Sequence, residues 1–171
     1  SIGEIGAAYA AGVLSLEDAV RVSIERSRWQ QKTMGNGTML AVSLSEQEAE
    51  TLLKEFPEGI SIAAVNSPKS VTLSGDAETL EKLRLSLESQ DIFARFLRVN
   101  VAYHSYQMDA IKDDLLESLQ FIRPRKATIP IYSTVTGQRM EGTEYSADYW
   151  WSNVRQEVRF QAAMTEIINQ G

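Results

Sequence analysis

The chain opens on a serine placed for chemistry. Ser1-Ile2-Gly3-Glu4 leads into a run of small residues, Gly6, Ala7, Ala8, Ala10 and Ala11. A serine followed two positions later by glycine, and then by a small-residue helix, is the back half of a nucleophile elbow. In that device a strained strand-to-helix turn exposes the hydroxyl at the top of an α/β sheet, and small side chains let the two backbones approach. A serine hydroxyl is a weak nucleophile that needs an adjacent base. The sequence holds one histidine, His104, and no cysteine. By residue type alone His104 reads as a packed or exposed bystander. Arg21, Arg26 and Arg28 read as a solvated basic face near a helix C-terminus, where cations complement the helix dipole. With no cysteine there is no thiolate nucleophile, disulfide or zinc–thiolate site, and a single histidine leaves little for metal binding.

The elements that must position these residues follow from caps and periodicity. A first helix is expected over residues 4–11, stopped by Gly12. Ser15-Leu16-Glu17-Asp18 then caps a helix to about residue 31, with Leu16, Ala19, Val20 and Ile24 on one face. From residue 38 the texture changes to strand 39–44, a capping box at Ser45-Glu46-Gln47-Glu48 with a helix to about 56, and a break at Pro57 and Gly59. Strands 60–66 and 70–74 follow, then a helix capped by Asp76 carrying Leu80, Leu83 and Leu87, and a strand over 92–99. Strand, helix, strand, strand, helix, strand is the split βαβ plan of a ferredoxin-like unit. Beyond it lie a helix over 106–121 with Met108, Ile111, Leu115 and Leu119 in register, a short strand over 129–133, and a final helix over 159–168.

Composition narrows the class. The 171 residues include 17 basic and 23 acidic side chains, a net charge of −6 with no basic cluster, which argues against a phosphate backbone as partner. No apolar run approaches the roughly 18–20 residues needed to span a bilayer, and no signal segment opens the chain. A soluble, cytoplasmic α/β protein without nucleic-acid, membrane or metal partners is expected, and the start on a helix-initiating turn suggests a piece of something larger.

The spacing of these residues resembles that of the acyltransferase domain of modular polyketide synthases, and more distantly that of malonyl-CoA:acyl carrier protein transacylases. The resemblance runs from end to end. The family nucleophile lies in Gly-His-Ser-x-Gly-Glu, matched from its serine by Ser1-Ile2-Gly3-Glu4. An arginine about 25 positions on, in a helix ending Arg-Ser-Arg, is matched by Arg26-Ser27-Arg28, and the family's His-Ser-x-x-Met by His104-Ser105-Tyr106-Gln107-Met108. Ala64-Val65-Asn66-Ser67-Pro68 with Ser74-Gly75 matches the central hairpin of the family's inserted subdomain. Tyr149-Trp150-Trp151-Ser152-Asn153-Val154-Arg155 resembles Tyr-Trp-x-x-Asn-Leu-Arg, with Glu157 where the family usually has proline.

The resemblance implies a fold in two parts. Residues 1–37 and 100–171 would form an α/β-hydrolase-like acyltransferase subdomain, incomplete at both ends, with 38–99 inserted as the ferredoxin-like subdomain. It implies roles as well. Ser1 would form an acyl-enzyme from an acyl-CoA, His104 would move the proton, and the N–H of Ile2 would be one oxyanion donor. The backbone carbonyl near Asn153 would orient the imidazole, since the family lacks a carboxylate third member. Arg26 would grip the free carboxylate of a malonyl-type extender, and Ala102 and Tyr103, just before the histidine, would set extender choice; bulky Tyr103 favours malonyl over methylmalonyl. Malonyl-CoA is then a substrate and no cofactor is tightly bound. The partners implied are an acyl carrier protein with its phosphopantetheine arm and neighbouring domains such as a ketosynthase. Two other readings stay open at this point: an N-terminal-serine hydrolase using its own amine as base, and a non-catalytic carrier-docking fragment of the same fold.

Overall fold

A computed structural model describes residues 1–56 and 59–170. The chain runs α1 (Gly3–Ala10), α2 (Leu16–Gln31), β1 (Thr38–Val42), α3 (Glu46–Leu53), β2 (Ile60–Ser67), β3 (Ser70–Gly75), α4 (Ala77–Ser89) and β4 (Ala94–Phe96). After a 3₁₀ turn over Tyr106–Ile111 come α5 (Lys112–Leu119), β5 (Ile131–Tyr132), β6 (Arg139–Met140), α6 (Ala147–Arg155) and α7 (Phe160–Asn169).

The helix starts are written in the side chains. The Ser15 hydroxyl accepts from the Asp18 N–H at 3.0 Å, Ser45 and Glu48 cap each other reciprocally, and the Asp76 carboxylate accepts from the Thr79 N–H at 2.9 Å. Each cap satisfies an N–H that the first helical turn leaves without an acceptor. Helix α1 ends at Gly12, whose φ of +77° is the left-handed conformation that favours glycine.

Strands β1 to β4 form one antiparallel sheet in the order β2-β3-β1-β4. That order places β3 between β1 and β2, as a split βαβ plan requires. Leu40, Val42, Leu73, Leu80, Leu83 and Leu87 pack into one core between this sheet and its helices. A second core, around Val22, Met108, Leu115, Tyr145 and Trp150, joins α1, α2, α5 and α6. Two hydrogen bonds hold the outgoing and returning segments side by side where the chain crosses between the two cores. Gly35 N–H donates to the Asn100 carbonyl at 2.7 Å, and the Thr38 hydroxyl donates to the Val99 carbonyl at 2.8 Å. The segment after α6 lies along the edge of β2, with a parallel bridge between Ala64 and Val158.

Several sequence expectations change. The buried face of α2 is Ala19, Val22, Arg26 and Gln30, whereas Leu16, Val20 and Ile24 are exposed; α1 and α5 pack against the other side of the helix. Arg21 and Arg28 are solvated and pair with Glu17 and Glu25, but Arg26 is buried. The strand expected over 92–99 is only three residues long, and the helix expected from 106 begins as a 3₁₀ turn. Helix α6 and strand β6 had no sequence reading, and the break assigned to Pro57 lies outside the described residues. Outside 38–99 the described strands are β5 and β6 alone, an antiparallel pair.

Leu83 is fully buried in the sheet-side core. Leu83→Ala removes most of its apolar side chain and leaves a cavity, so a loss of about 2–5 kcal/mol in denaturant-measured stability is expected. A change below about 1 kcal/mol would show that α4 does not seat on the sheet as described.

Candidate active site

Ser1 sits one residue ahead of the Ile2 N-cap of α1, at a turn closed by the Glu4 N–H on the Ser1 carbonyl at 3.2 Å. His104 comes from the loop that leaves the sheet, 103 positions away in sequence. Its Nε2 lies 3.0 Å from the Ser1 hydroxyl oxygen, and its Nδ1 lies 2.8 Å from the Gln156 carbonyl oxygen. A carbonyl only accepts, so Nδ1 carries the proton and Nε2 presents its lone pair to the serine. The backbone that delivers the ring is strained: His104 has φ +59°, in the left-handed region. Such a residue costs on the order of 1–3 kcal/mol and persists where its surroundings fix it. Ser105, fully buried, anchors the turn through its hydroxyl, which donates to the Ala102 carbonyl at 2.7 Å.

Burial, reinforced by the Arg26 charge, pushes the His104 imidazole down to about 3, against the opposing pull of the Gln156 carbonyl. The ring is therefore neutral at ordinary pH and able to take a proton. Arg26 Nη2 donates to the Ser1 oxygen at 2.8 Å. The hydroxyl thus accepts from the guanidinium while donating to the imidazole. Burial lowers the Arg26 pKa to about 10, with the Glu4 charge acting in the opposite direction, so the arginine stays cationic at neutral pH.

Three of the five guanidinium N–H groups are used. Nε donates to Gln30 Oε1 at 3.3 Å, Nη1 to Asn153 Oδ1, and Nη2 to Ser1. One N–H on each terminal nitrogen is left over, enough for a carboxylate fork. Behind the arginine lies Glu4, 6% exposed. Its carboxylate accepts from Asn153 Nδ2 at 3.0 Å, the Tyr145 hydroxyl at 3.2 Å, the Tyr149 hydroxyl, and the Thr134 N–H and hydroxyl. Burial and the Glu4 charge raise both tyrosines above their usual range, which keeps them protonated donors. A cavity of about 570 Å³ opens over this constellation, with Ser1, Arg26, Gln30, Met39, Tyr103 and His104 in its wall.

The structure thus brings Ser1, Arg26, Tyr103 and His104 together at one cavity. Ile2 has an exposed side chain, and its N–H lies in the first turn of α1, where a helix offers no internal acceptor. Two expectations are corrected. The carbonyl on His104 Nδ1 belongs to Gln156, not Asn153, because α6 ends at Arg155 and the extended backbone beyond it turns that carbonyl to the ring. Ala102 is fully buried and absent from the cavity wall, packed beneath Gly37, where an added Cβ would come within 2.8 Å of the alanine Cβ. Three contributors escaped sequence reasoning. Gln156 acts through its backbone and leaves no side-chain signal, Gln30 had no sequence reading, and Glu4 was quoted in a motif without a role.

Two-part α/β packing around a serine, a neutral histidine and a buried arginine defines a site of the serine–histidine class, able to support covalent acyl chemistry. The particular family follows from comparison. The chain matches the Acyl transferase domain family over residues 1–171 and belongs to it. It is 46% identical to polyketide synthase GfsB of Streptomyces halstedii over 99% of the chain and 3% of that protein. It is 39% identical to erythronolide synthase EryA2 of Saccharopolyspora erythraea over the whole chain and 5% of that protein. Among solved structures it superposes on the acyltransferase domain from module 8 of the salinomycin polyketide synthase with a TM-score of 0.96 at 37% identity, covering 99% of this chain and 40% of that one. The chain therefore spans a small part of the synthases and under half of that solved chain.

The depressed His104 pKa has a sign that can be checked. Reaction of Ser1 with a fluorophosphonate is expected to stay level from pH 7 to pH 5, whereas an imidazole of ordinary pKa 6.5 would lose about 25-fold over that span. Stability should move too. The unfolded histidine binds a proton below about pH 6.5 and the folded one does not, so this contribution is fully present above 6.5 and declines as pH falls toward 3. A labelling midpoint near 6.5 would contradict the buried, neutral ring.

Proposed function

We propose that this chain carries the catalytic centre of a polyketide synthase acyltransferase domain. It would load a malonyl-type extender from CoA onto the phosphopantetheine arm of an acyl carrier protein through an acyl-serine intermediate. The observation that carries the reading is the Ser1 hydroxyl held between His104 Nε2 and Arg26 Nη2.

The chemistry balances with the groups present. Ser1 Oγ attacks the thioester carbonyl as its proton passes to His104 Nε2. The carbonyl oxygen takes up negative charge, and the Ile2 N–H is one donor positioned to receive it. The carbon–sulfur bond then breaks, and the imidazolium returns the proton to the CoA thiolate. The carrier thiol reverses the sequence, giving its proton to His104 as its sulfur attacks the acyl-serine. The Gln156 carbonyl holds the ring in the required tautomer and steadies the transient imidazolium, the duty a carboxylate performs in a triad.

Arg26 supplies selectivity. Its two spare N–H groups suit a substrate carboxylate, whereas a monocarboxylic acyl group leaves that buried fork unpaired. Tyr103 in the cavity wall fits a small α-carbon and supports malonyl over methylmalonyl. The acyltransferase domain of SpnD, solved as a complex with a 2-(pent-4-yn-1-yl)malonyl group, is a 30% identical structural neighbour and supports a malonyl-type acyl group here. In this reading residues 38–99 are the ferredoxin-like subdomain, and 1–37 with 100–171 belong to the α/β-hydrolase-like one. The working partners are a carrier protein and a ketosynthase in the cytoplasm.

Arg26→Ala in the intact protein should lower the malonyl-to-acetyl ratio of kcat/KM by at least about 100-fold, since it deletes two charge-assisted hydrogen bonds that only the dicarboxylic substrate makes. Equal losses for malonyl-CoA and acetyl-CoA would assign Arg26 a structural role and remove the basis for a carboxylated extender.

A further inference from the structure

The acyl-transfer reading leaves one feature of the site unexplained. Glu4 and Arg26 are buried, with 6% and 4% exposure, and carry opposite charges, yet they form no ion pair. One side chain stands between them. The Asn153 amide turns its Nδ2 to the Glu4 carboxylate at 3.0 Å and its Oδ1 to Arg26 Nη1. The orientation is chemically fixed, because the donor end must face the carboxylate and the acceptor end the guanidinium. Asn153 is itself 2% exposed.

A buried arginine beside a buried carboxylate forms a bidentate pair when the two can meet, since that pairing offsets both desolvation costs. Here the carboxylate is held by other donors, from Thr134, Tyr145 and Tyr149, and meets the arginine only through a neutral amide. Glu4 thereby offsets the arginine's charge from a distance without occupying its N–H groups.

We propose that Asn153 is a neutral spacer that holds the Glu4 carboxylate off the Arg26 guanidinium. The spacer keeps the arginine's remaining N–H groups open for a carboxylate of the acyl substrate. Asn153 is a positioning residue, acting on selectivity through Arg26. The inference rests on the acyl-transfer reading for the identity of the substrate, but the contact geometry stands without it.

The test places a charge where the structure has none. Asn153→Asp is nearly isosteric and sets a carboxylate oxygen directly on Arg26, so the intact protein should show a malonyl-to-acetyl kcat/KM ratio lowered by about 100-fold, mainly through a higher KM for malonyl-CoA. The new carboxylate also faces Glu4, which destabilises the variant. Glu4→Gln combined with Asn153→Asp restores the original number of buried charges and should recover thermal stability. The ratio should stay low in that double variant, because Arg26 remains neutralised. A ratio that recovers together with stability, or that never falls in folded Asn153→Asp, overturns the proposal. Calorimetric titration with free malonate and acetate separates this outcome from failure of the transfer reading. Wild-type protein that transfers neither acyl group, but binds malonate in a way that Asn153→Asp abolishes, would keep the spacer and discard the transfer. Transfer of both groups with malonate affinity unchanged in Asn153→Asp would do the reverse.

Discussion

A positive and a negative charge are buried at the root of this site, and the way each is satisfied organises what surrounds them. Taking either ion out of water costs several kcal/mol unless hydrogen bonds replace its hydration. Glu4 recovers that cost from the backbone and hydroxyl of Thr134, two tyrosine hydroxyls and an amide. Those donors come from the β5–β6 connection, the approach to α6, and α6 itself, so the carboxylate ties the second half of the chain to the first turn of α1. Arg26 recovers its cost from Gln30, Asn153 and Ser1. The serine is the half-buried, cavity-side end of a chain of contacts that starts at a buried carboxylate.

The histidine is held from the opposite side, by architecture rather than by charge. Its acceptor is a peptide carbonyl placed by the end of α6, and the next residues are pinned to β2. Val158 N–H donates to the Ala63 carbonyl at 2.8 Å, and Val65 N–H donates to the Val158 carbonyl at 2.9 Å. The ring is thus oriented where the sheet meets the helical half. A carbonyl is a weaker partner for an imidazolium than a carboxylate. It also adds no negative charge beside a substrate expected to bring its own.

Local chemistry was legible in the sequence, and long-range burial was not. Ser15, Ser45 and Asp76 announced their helices because a cap is a three-residue event, and the leucines of α4 announced their core. The same periodicity misled at α2. Leu16, Val20 and Ile24 satisfy a helical spacing, yet the face that packs carries Arg26 and Gln30: Arg26 donates to Ser1 and Asn153, both distant in the chain, and to Gln30 within the helix. Helix α6 was missed although Ser146 caps it in the same way, because its aromatic stretch was matched only as a family motif. The Ser1, His104 and Arg26 set was read through family spacing and meets at one cavity. Gln156 was unreadable in principle, because any residue supplies a carbonyl.

The central claim is that Ser1 is the residue acylated and that His104 makes it reactive. Intact protein mixed briefly with malonyl-CoA, quenched in acid and mapped by peptide mass spectrometry tests both parts. The account predicts one malonyl group, carried on the Ser1 peptide, discharged when a carrier thiol is added, and formed at least about 100-fold more slowly in His104→Ala. A malonyl group on any other residue, or equally fast acylation without the imidazole, would contradict it.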